Sequence, residues 1–254
     1  MVDINVNSKN IPFIDLIIFD KDGTLMELHH YWCKMVALRA EMICESLKLD
    51  KGYINNIAFE MGANLGTGYL RSEGPVGLKK REIVMQAAID YLARIGHKDT
   101  YDLCFEVFHN VDAMSSQDLR RFVKPISGAA ELVHTASAYG CKIAIATTDR
   151  RERAQLAMKY LGYGNEIDLI IGADDVKKQK PDPEQIQLIL EYLRIDPLRA
   201  VMVGDALTDV KMGINAGVKA SIGVQTGFAT KEQLLEVTPY VTEDVSKIGI
   251  TKRD

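Results

Sequence analysis

The spacing of apolar and polar positions changes character twice along the chain. Leu16-Ile17-Ile18-Phe19 is an unbroken apolar run that ends on Asp20-Lys21-Asp22-Gly23-Thr24-Leu25. A short apolar run closed by turn residues predicts a strand buried on both faces. Asp20 then stands at its carboxyl end, the edge where open α/β sheets bind ligands. Ahead of it, residues 1–12 read as a polar leader or an edge segment. From Glu27 onward the period becomes helical. Val36, Ala40, Ile43 and Leu47 share one face of a helix over 31–47. A shorter helix follows over 52–61, and Ile83, Ala87 and Tyr91 form the stripe of a third over 79–95. A fourth runs over 101–122, with a break near Asn110. Between the second and third, Gly62, Gly66, Gly68, Gly74 and Gly77 predict a mobile or closely approached loop.

Past Lys124-Pro125 helix and strand alternate. Helices are expected over 129–139 and 151–161, and strands over 141–146 and 168–171. Lys180-Pro181-Asp182-Pro183 then opens a helix to Leu193, with Asp182 as its cap and Pro183 at its first position. A strand over 200–203 delivers Gly204-Asp205-Ala206-Leu207-Thr208-Asp209, and a helix from there ends at Ala216-Gly217. A strand over 220–224, a helix over 231–236 capped by Thr230 and Gln233, and an edge strand over 240–242 complete the pattern. Such alternation implies right-handed crossovers and a parallel sheet. The expected fold is α/β, a Rossmann-like parallel-sheet core with an inserted small α-helical cap domain. The core comprises 1–26 and 122–254, and the cap 27–121.

Composition narrows the function classes. Apolar residues make up 47% of the 254 positions and charged residues 26%, the values of an ordinary soluble globule. A net charge of -4 gives no electrostatic case for nucleic acid or an anionic membrane surface, so neither is expected as a partner. No apolar run approaches the roughly 20 residues of a spanning helix, and the first residues lack the layout of a signal peptide. Cys33, Cys44, Cys104 and Cys141 are scattered with no C-x-x-C pair. They predict buried thiols in a reducing compartment, hence a cytoplasmic location. Five scattered histidines offer no zinc spacing.

Parallel strands all point one way, so the residues just beyond them collect along one edge. That gathers Asp20, Asp22, Thr147, Asp205 and Asp209, with Lys180 reaching in from its loop. Two unit charges about 4 Å apart repel by roughly 4 kcal/mol at an effective dielectric near 20. A divalent cation and one ammonium relieve such a cluster, and hard oxygen ligands suit Mg²⁺. Asp20, the backbone carbonyl of Asp22, and Asp205 are the expected ligands. Asp209 and Thr24 stand behind them, Asp209 orienting the ligands or holding Lys180. The arrangement suggests phosphoryl transfer through an aspartyl-phosphate. Mg²⁺ and Lys180 offset the repulsion between a carboxylate and a phosphate. Asp20 attacks phosphorus, and Asp22 protonates the departing alkoxide and later takes a proton from water. Thr147 donates to a phosphoryl oxygen, and the backbone around Lys21, Gly23 and Thr148 lines the same anion nest.

The set Asp20-x-Asp22-Gly23-Thr24, Thr147 after an apolar strand, Lys180-Pro181 and Gly204-Asp205-x-x-x-Asp209 resembles the haloacid dehalogenase superfamily. The helical insertion directly after the first motif is similar to that family's first cap type, as in phosphoglycolate-phosphatase-like members. The resemblance implies Mg²⁺-dependent phosphatase chemistry with Asp20 as nucleophile and Asp22 as acid and base. It spans almost the whole chain, though its specific motifs lie in the core. Asp22 argues against the dehalogenase and phosphonatase branches, which lack a carboxylate there. One departure is Thr147-Thr148-Asp149, where many relatives follow the hydroxyl residue with Asn; strand length favours Thr147 as the phosphate contact.

The expected substrate is a small phosphorylated metabolite, of the phosphoglycolate or sugar-phosphate class. Arg71 and Lys79, near the glycine-rich loop, are the candidate cap contacts to a second anionic group. His29, His30 and Trp32 follow the first motif closely enough to floor a pocket. Two other readings share the chassis: a phosphomutase of the β-phosphoglucomutase type, and a binding protein that has lost turnover. The presence of every core chemical group counts against the binding protein, whereas the mutase would differ in its cap, which must exclude water.

Overall fold

The computed structural model describes residues 1–253. The chain divides into two compact units, Met1–Glu27 with Pro125–Asp254, and Leu28–Lys124.

The first unit opens with strands β1 (Val2–Val6) and β2 (Lys9–Ile14), joined through Asn7 and Ser8, both at positive φ. In β1, Val2, Ile4 and Val6 are buried while Asp3 and Asn5 are half-exposed, the period of two of a sheet with one covered face. A polar leader or an edge segment was the expectation here; β2 is an edge strand, and β1 is the middle strand of an antiparallel sheet. β3 (Leu16–Phe19) follows, buried at every position.

The second unit begins with α1 (Leu28–Leu47) and α2 (Gly52–Met61), which closes on Gly62 at φ 107. The glycine-rich segment is not wholly loop: β4 (Ala63–Asn64) and β5 (Tyr69–Leu70) pair as a short antiparallel hairpin. α3 (Arg81–Arg94) and α4 (Tyr101–Gln117) complete the unit, with a 3-10 turn at Leu119–Arg121. α4 runs unbroken through Asn110, because Val107, Phe108 and Val111 on the same stretch are all buried and their packing outweighs the weak helix preference of Asn. Helix α1 packs on α2 and α4, and α3 on α2 and α4. Across these contacts Arg39 of α1 and Arg81 of α3 both hold Asp112 of α4, at 2.7 and 2.9 Å.

Back in the first unit the elements alternate. They are α5 (Ala129–Ala138), β6 (Lys142–Ala146), α6 (Arg151–Tyr160), β7 (Leu169–Ile171), α7 (Glu184–Leu193), β8 (Ala200–Gly204), α8 (Leu207–Asn215), β9 (Ala220–Val224), α9 (Lys231–Leu235) and β10 (Tyr240–Thr242). The final strand, β11 (Ile248–Lys252), returns to pair with β1. α7 starts one residue later than expected: Pro183 precedes it, and Asp182 Oδ1 accepts from the Glu184 N–H at 3.1 Å. The capping box of Thr230 and Gln233 on α9 is present.

Six strands form a parallel sheet in the order β10-β9-β8-β3-β6-β7. Consecutive connections leave β3 on one side for β6 and β7, then cross to β8 on the other. β3 is thus the topological switch point, where a crevice opens at the carboxyl ends. Its register sets Phe19 beside both Ile145 and Val203. The residues one and two steps further on are Asp20 from β3, Ala146 and Thr147 from β6, and Gly204 and Asp205 from β8. On one sheet face Leu16, Ile18, Ala144, Ala146, Ala200 and Met202 pack with Ile186 and Ile189 of α7 and Met212 of α8. Burying each large aliphatic side chain contributes about 1.5–3 kcal/mol, and this holds the strand tips, and so the acidic residues, in fixed register. No helix among the described residues is long and apolar enough to cross a membrane.

Candidate active site

Asp20 leaves the sheet with its backbone N–H donating to the Val203 carbonyl at 2.9 Å, which fastens it to the neighbouring strand. The turn after it closes tightly: the N–H groups of Leu25 and Met26 both reach the Lys21 carbonyl, at 3.0 and 3.1 Å. Gly23 sits at φ +89, and a Cβ there would lie 2.5 Å from the carboxyl carbon of Asp205. Only glycine adopts that φ without strain and leaves room for the acid. Its own N–H closes the turn on the Met26 carbonyl at 2.8 Å, and its carbonyl accepts from the Thr226 hydroxyl. This corrects the expectation that Gly23 binds phosphate: its N–H is committed, and its part is conformational.

From β8 the chain delivers Asp205, buried, with the Thr24 hydroxyl 3.4 Å from its Oδ1. A Cβ at Gly227, just past β9, would overlap the same carboxylate. Asp209 lies in the first turn of α8, where its Oδ2 accepts from the Ala206 N–H at 3.0 Å. Lys180, itself almost fully buried, donates to Asp20 Oδ1 at 2.6 Å and to Asp209 Oδ1 at 2.7 Å. Asp20, Asp205 and Asp209 each offer one oxygen, and these three oxygens lie within 4.8 Å of one another.

The electrostatics follow from that crowding. Burial pushes Asp20 up against the pull of Lys180, with Asp209 adding to the rise, to about 6. Asp205 is held well above the ordinary carboxylate range by burial and by Asp20 and Asp209. Burial alone would depress Lys180, but Asp20 and Asp209 outweigh it and raise its pKa. Three buried carboxylates against one ammonium leave negative charge over, and among the described residues Asp205 has no cation in direct contact. This all-oxygen donor set with surplus negative charge fits a hard divalent cation such as Mg²⁺.

Asp22 stands outside this set of three and pairs with Lys21. Its Oδ1 and Oδ2 each lie 2.7 Å from the Nζ of Lys21, which also approaches Asp149 Oδ2 at 3.5 Å. Burial raises the Asp22 pKa, opposed by Lys21 and supported by Asp149 and Asp20. The Lys21 side chain is 2% exposed and bound to these acids, which leaves its backbone as the part expected in the anion nest. Thr147 is buried, its Oγ1 accepting from the Asp149 N–H at 3.1 Å, while Thr148 is exposed. Gln185 of α7 braces the site from below, its Nε2 donating to the Thr147 carbonyl at 2.8 Å.

The candidate contacts in the helical unit fare differently. Arg71 folds back on α2, its guanidinium 3.8 Å from the Phe59 ring and donating to the Phe59 carbonyl at 2.9 Å. These contacts pack Arg71 against its own unit and occupy one of its five N–H donors. Lys79 is exposed. The Nδ1 of His29 accepts from the Leu70 N–H at 3.2 Å and its ring meets Tyr69 at 4.9 Å, tying α1 to the hairpin. The Lys21–Asp149 contact and the Gln185 brace were missed from sequence. The visible signal was a lysine between two aspartates, just past an apolar strand.

The acidic strand tips and the parallel sheet define a family. The haloacid dehalogenase-like hydrolase model matches residues 14–217, and the chain belongs to that family. Pyrophosphatase PpaX of Bacillus velezensis is 38% identical over 110 residues, which are 43% of this chain and 50% of that relative, so the match spans half its length. A phosphoglycolate phosphatase of Aquifex aeolicus is 22% identical over 92% of this chain and 95% of its own. Among solved structures, a predicted phosphoglycolate phosphatase from Haemophilus somnus superposes with a TM-score of 0.70 at 17% identity. That superposition covers 93% of this chain and 96% of the other, and shows the same fold.

Proposed function

We propose that this protein is a Mg²⁺-dependent phosphatase that hydrolyses a small phosphorylated metabolite, of the phosphoglycolate or sugar-phosphate class, through an aspartyl-phosphate on Asp20. The observation that carries the reading is the meeting of Asp20, Asp205 and Asp209 within 4.8 Å, with Lys180 clasping two of them. Asp20, Asp205 and the backbone carbonyl of Asp22 would hold the ion, with Asp209 and Thr24 behind them. When bound, Mg²⁺ supplies the positive charge that lets a carboxylate and a phosphate approach.

Asp20 attacks phosphorus in line with the leaving oxygen, and the bond from phosphorus to that oxygen breaks. Lys180 sets the direction of attack by holding one Asp20 oxygen, and its charge offsets that gathering on the phosphoryl group. Asp22 gives its proton to the leaving alkoxide. The Asp22 carboxylate then takes a proton from a water that attacks the aspartyl-phosphate, freeing inorganic phosphate and restoring Asp20. The Thr147 hydroxyl donates to a phosphoryl oxygen, and the backbone at Lys21 and Thr148 lines the same nest. The helical unit is assigned the role of cap and substrate selector, with Arg71 and Lys79 as its candidate contacts. A cytoplasmic setting accords with Cys33, Cys44, Cys104 and Cys141 all being free and buried. Burial pushes Cys104 to about 11 and Cys141 to about 12, which keeps both thiols protonated and unreactive.

The test is phosphate release from phosphoglycolate, hexose phosphates and pyrophosphate, with Mg²⁺ and with excess chelator. Release that needs Mg²⁺ and favours one monoester class is the expected result. No release from any of these substrates overturns the reading.

A further inference from the structure

Lys21 occupies the middle of the D-x-D motif, and its side chain is as buried as the catalytic carboxylates around it. Its ammonium meets both oxygens of Asp22 at 2.7 Å, which fixes the plane of that carboxyl as well as its rotamer. The far side of the ammonium faces Asp149 Oδ2 at 3.5 Å. Asp149 is itself pinned. Its Oδ1 accepts from the Arg150 N–H at 2.8 Å and lies 3.7 Å from Arg153 Nε, and its own N–H donates to the Thr147 hydroxyl oxygen. A chain of charge therefore runs from the tip of β6 through Lys21 to Asp22 at the tip of β3. A lysine that only filled space, or only steadied the turn, would not need both oxygens of the acid.

We propose that Lys21 is a positioning residue for the acid–base carboxyl: anchored by Asp149, it holds Asp22 in place and stabilises the carboxylate that proton donation leaves behind. The inference rests on the phosphatase reading above. In the first half-reaction the Asp22 O–H bond breaks and its proton joins the leaving alkoxide. In the same step the bond from phosphorus to that alkoxide breaks and the bond from Asp20 to phosphorus forms. Negative charge appears on Asp22 at that moment, and a preorganised ammonium at 2.7 Å meets it without reorganisation.

The role has a chemical signature. An alkyl phosphate needs its leaving oxygen protonated, whereas p-nitrophenyl phosphate releases a stable phenolate and does not. General-acid assistance contributes about 10²–10⁴-fold. Lys21→Met should therefore lower kcat/KM for an alkyl phosphate by about tenfold or more, and for p-nitrophenyl phosphate by less than about threefold. Adding Lys21→Met to Asp22→Asn should cost nothing further, and Asp149→Ala should show a weaker loss of the same selectivity. The Ki of inorganic phosphate should stay unchanged, and circular dichroism melts report whether each variant folds; if Lys21→Met does not, Asp149→Ala carries the test. Equal losses on both esters, or a raised Ki for phosphate, overturn the inference in favour of a structural or phosphate-binding lysine. An Asp22→Asn variant with no ester preference would instead remove the acid–base role of Asp22, and this inference with it.

Discussion

Lys180 and Asp20 stand 160 positions apart in the chain and meet at 2.6 Å, with the same ammonium 2.7 Å from Asp209. That one nitrogen balances two buried carboxylates and joins the K-P loop to the tips of β3 and α8. Replacing Lys180 by Met strands both acids in a dry site. Breaking such a pair from one side costs about 3–5 kcal/mol. The variant is expected to lose that much stability at neutral pH in urea titrations. The deficit should shrink toward pH 4 as the carboxyls take up protons, and turnover should fall by about a hundredfold or more.

The pH dependence of the metal-free protein has a definite sign. Asp20 titrates at about 6 in the fold against its ordinary 3.8. A carboxyl that binds its proton more tightly when folded contributes stability fully present below 3.8 and lost as the pH rises through about 6. Asp205, also raised, acts in the same direction. In excess chelator, Asp205→Asn is therefore expected to melt higher than the parent at pH 7.5, with the gap closing in acid. Adding Mg²⁺ should raise the parent's Tm by several degrees and leave Asp205→Asn unmoved, since only a ligand that binds the folded state stabilises it. A parent protein whose melting ignores Mg²⁺ would argue against the metal site.

Gly23 joins backbone and site in one residue. At φ +89, and with Asp205 where a side chain would go, Gly23→Ala should cost about 1–3 kcal/mol. Because the displaced group is Asp205, the variant should also need more Mg²⁺ for half-maximal activity. Stability loss without a shift in Mg²⁺ response would show that the turn and the acid are uncoupled.

In the helical unit, Asp112 stands between Arg39, 2% exposed, and Arg81. Asp112→Ala leaves a buried guanidinium unpaired beside a second one, an expected cost of about 3–5 kcal/mol by chemical denaturation. Asp112→Asn should cost less, because one acceptor remains.

The parts of the fold legible in sequence were those set by local pattern. Leu16–Phe19 read as a doubly buried strand because all four positions are apolar, and the alternation after Pro125 fixed the parallel sheet and its shared acidic edge. The first twelve residues, expected as a leader or an edge segment, include the cleanly alternating Val2-Asp3-Ile4-Asn5-Val6, which forms a middle strand. One partner of that strand, β2, is local, but the other lies at the far end of the chain: the Asn5 amide donates to the Thr251 hydroxyl, 246 residues away. No local window contains that pairing. The packing of Arg71 was not legible for the opposite reason, because the Phe59 ring it meets is a near neighbour whose facing only the hairpin geometry decides. Lys21 and Asp149 sit at the tips of different strands, so their contact appears only once register is known.

The most direct measurement is rapid-quench trapping with a substrate labelled in its phosphoryl group, followed by mapping of the label on the denatured chain. The account predicts a burst of label approaching one per chain, carried by the peptide that contains Asp20 and absent from Asp20→Asn, which folds but does not turn over. Full phosphate release by the parent with no label on the protein, or with label on another residue, would contradict it.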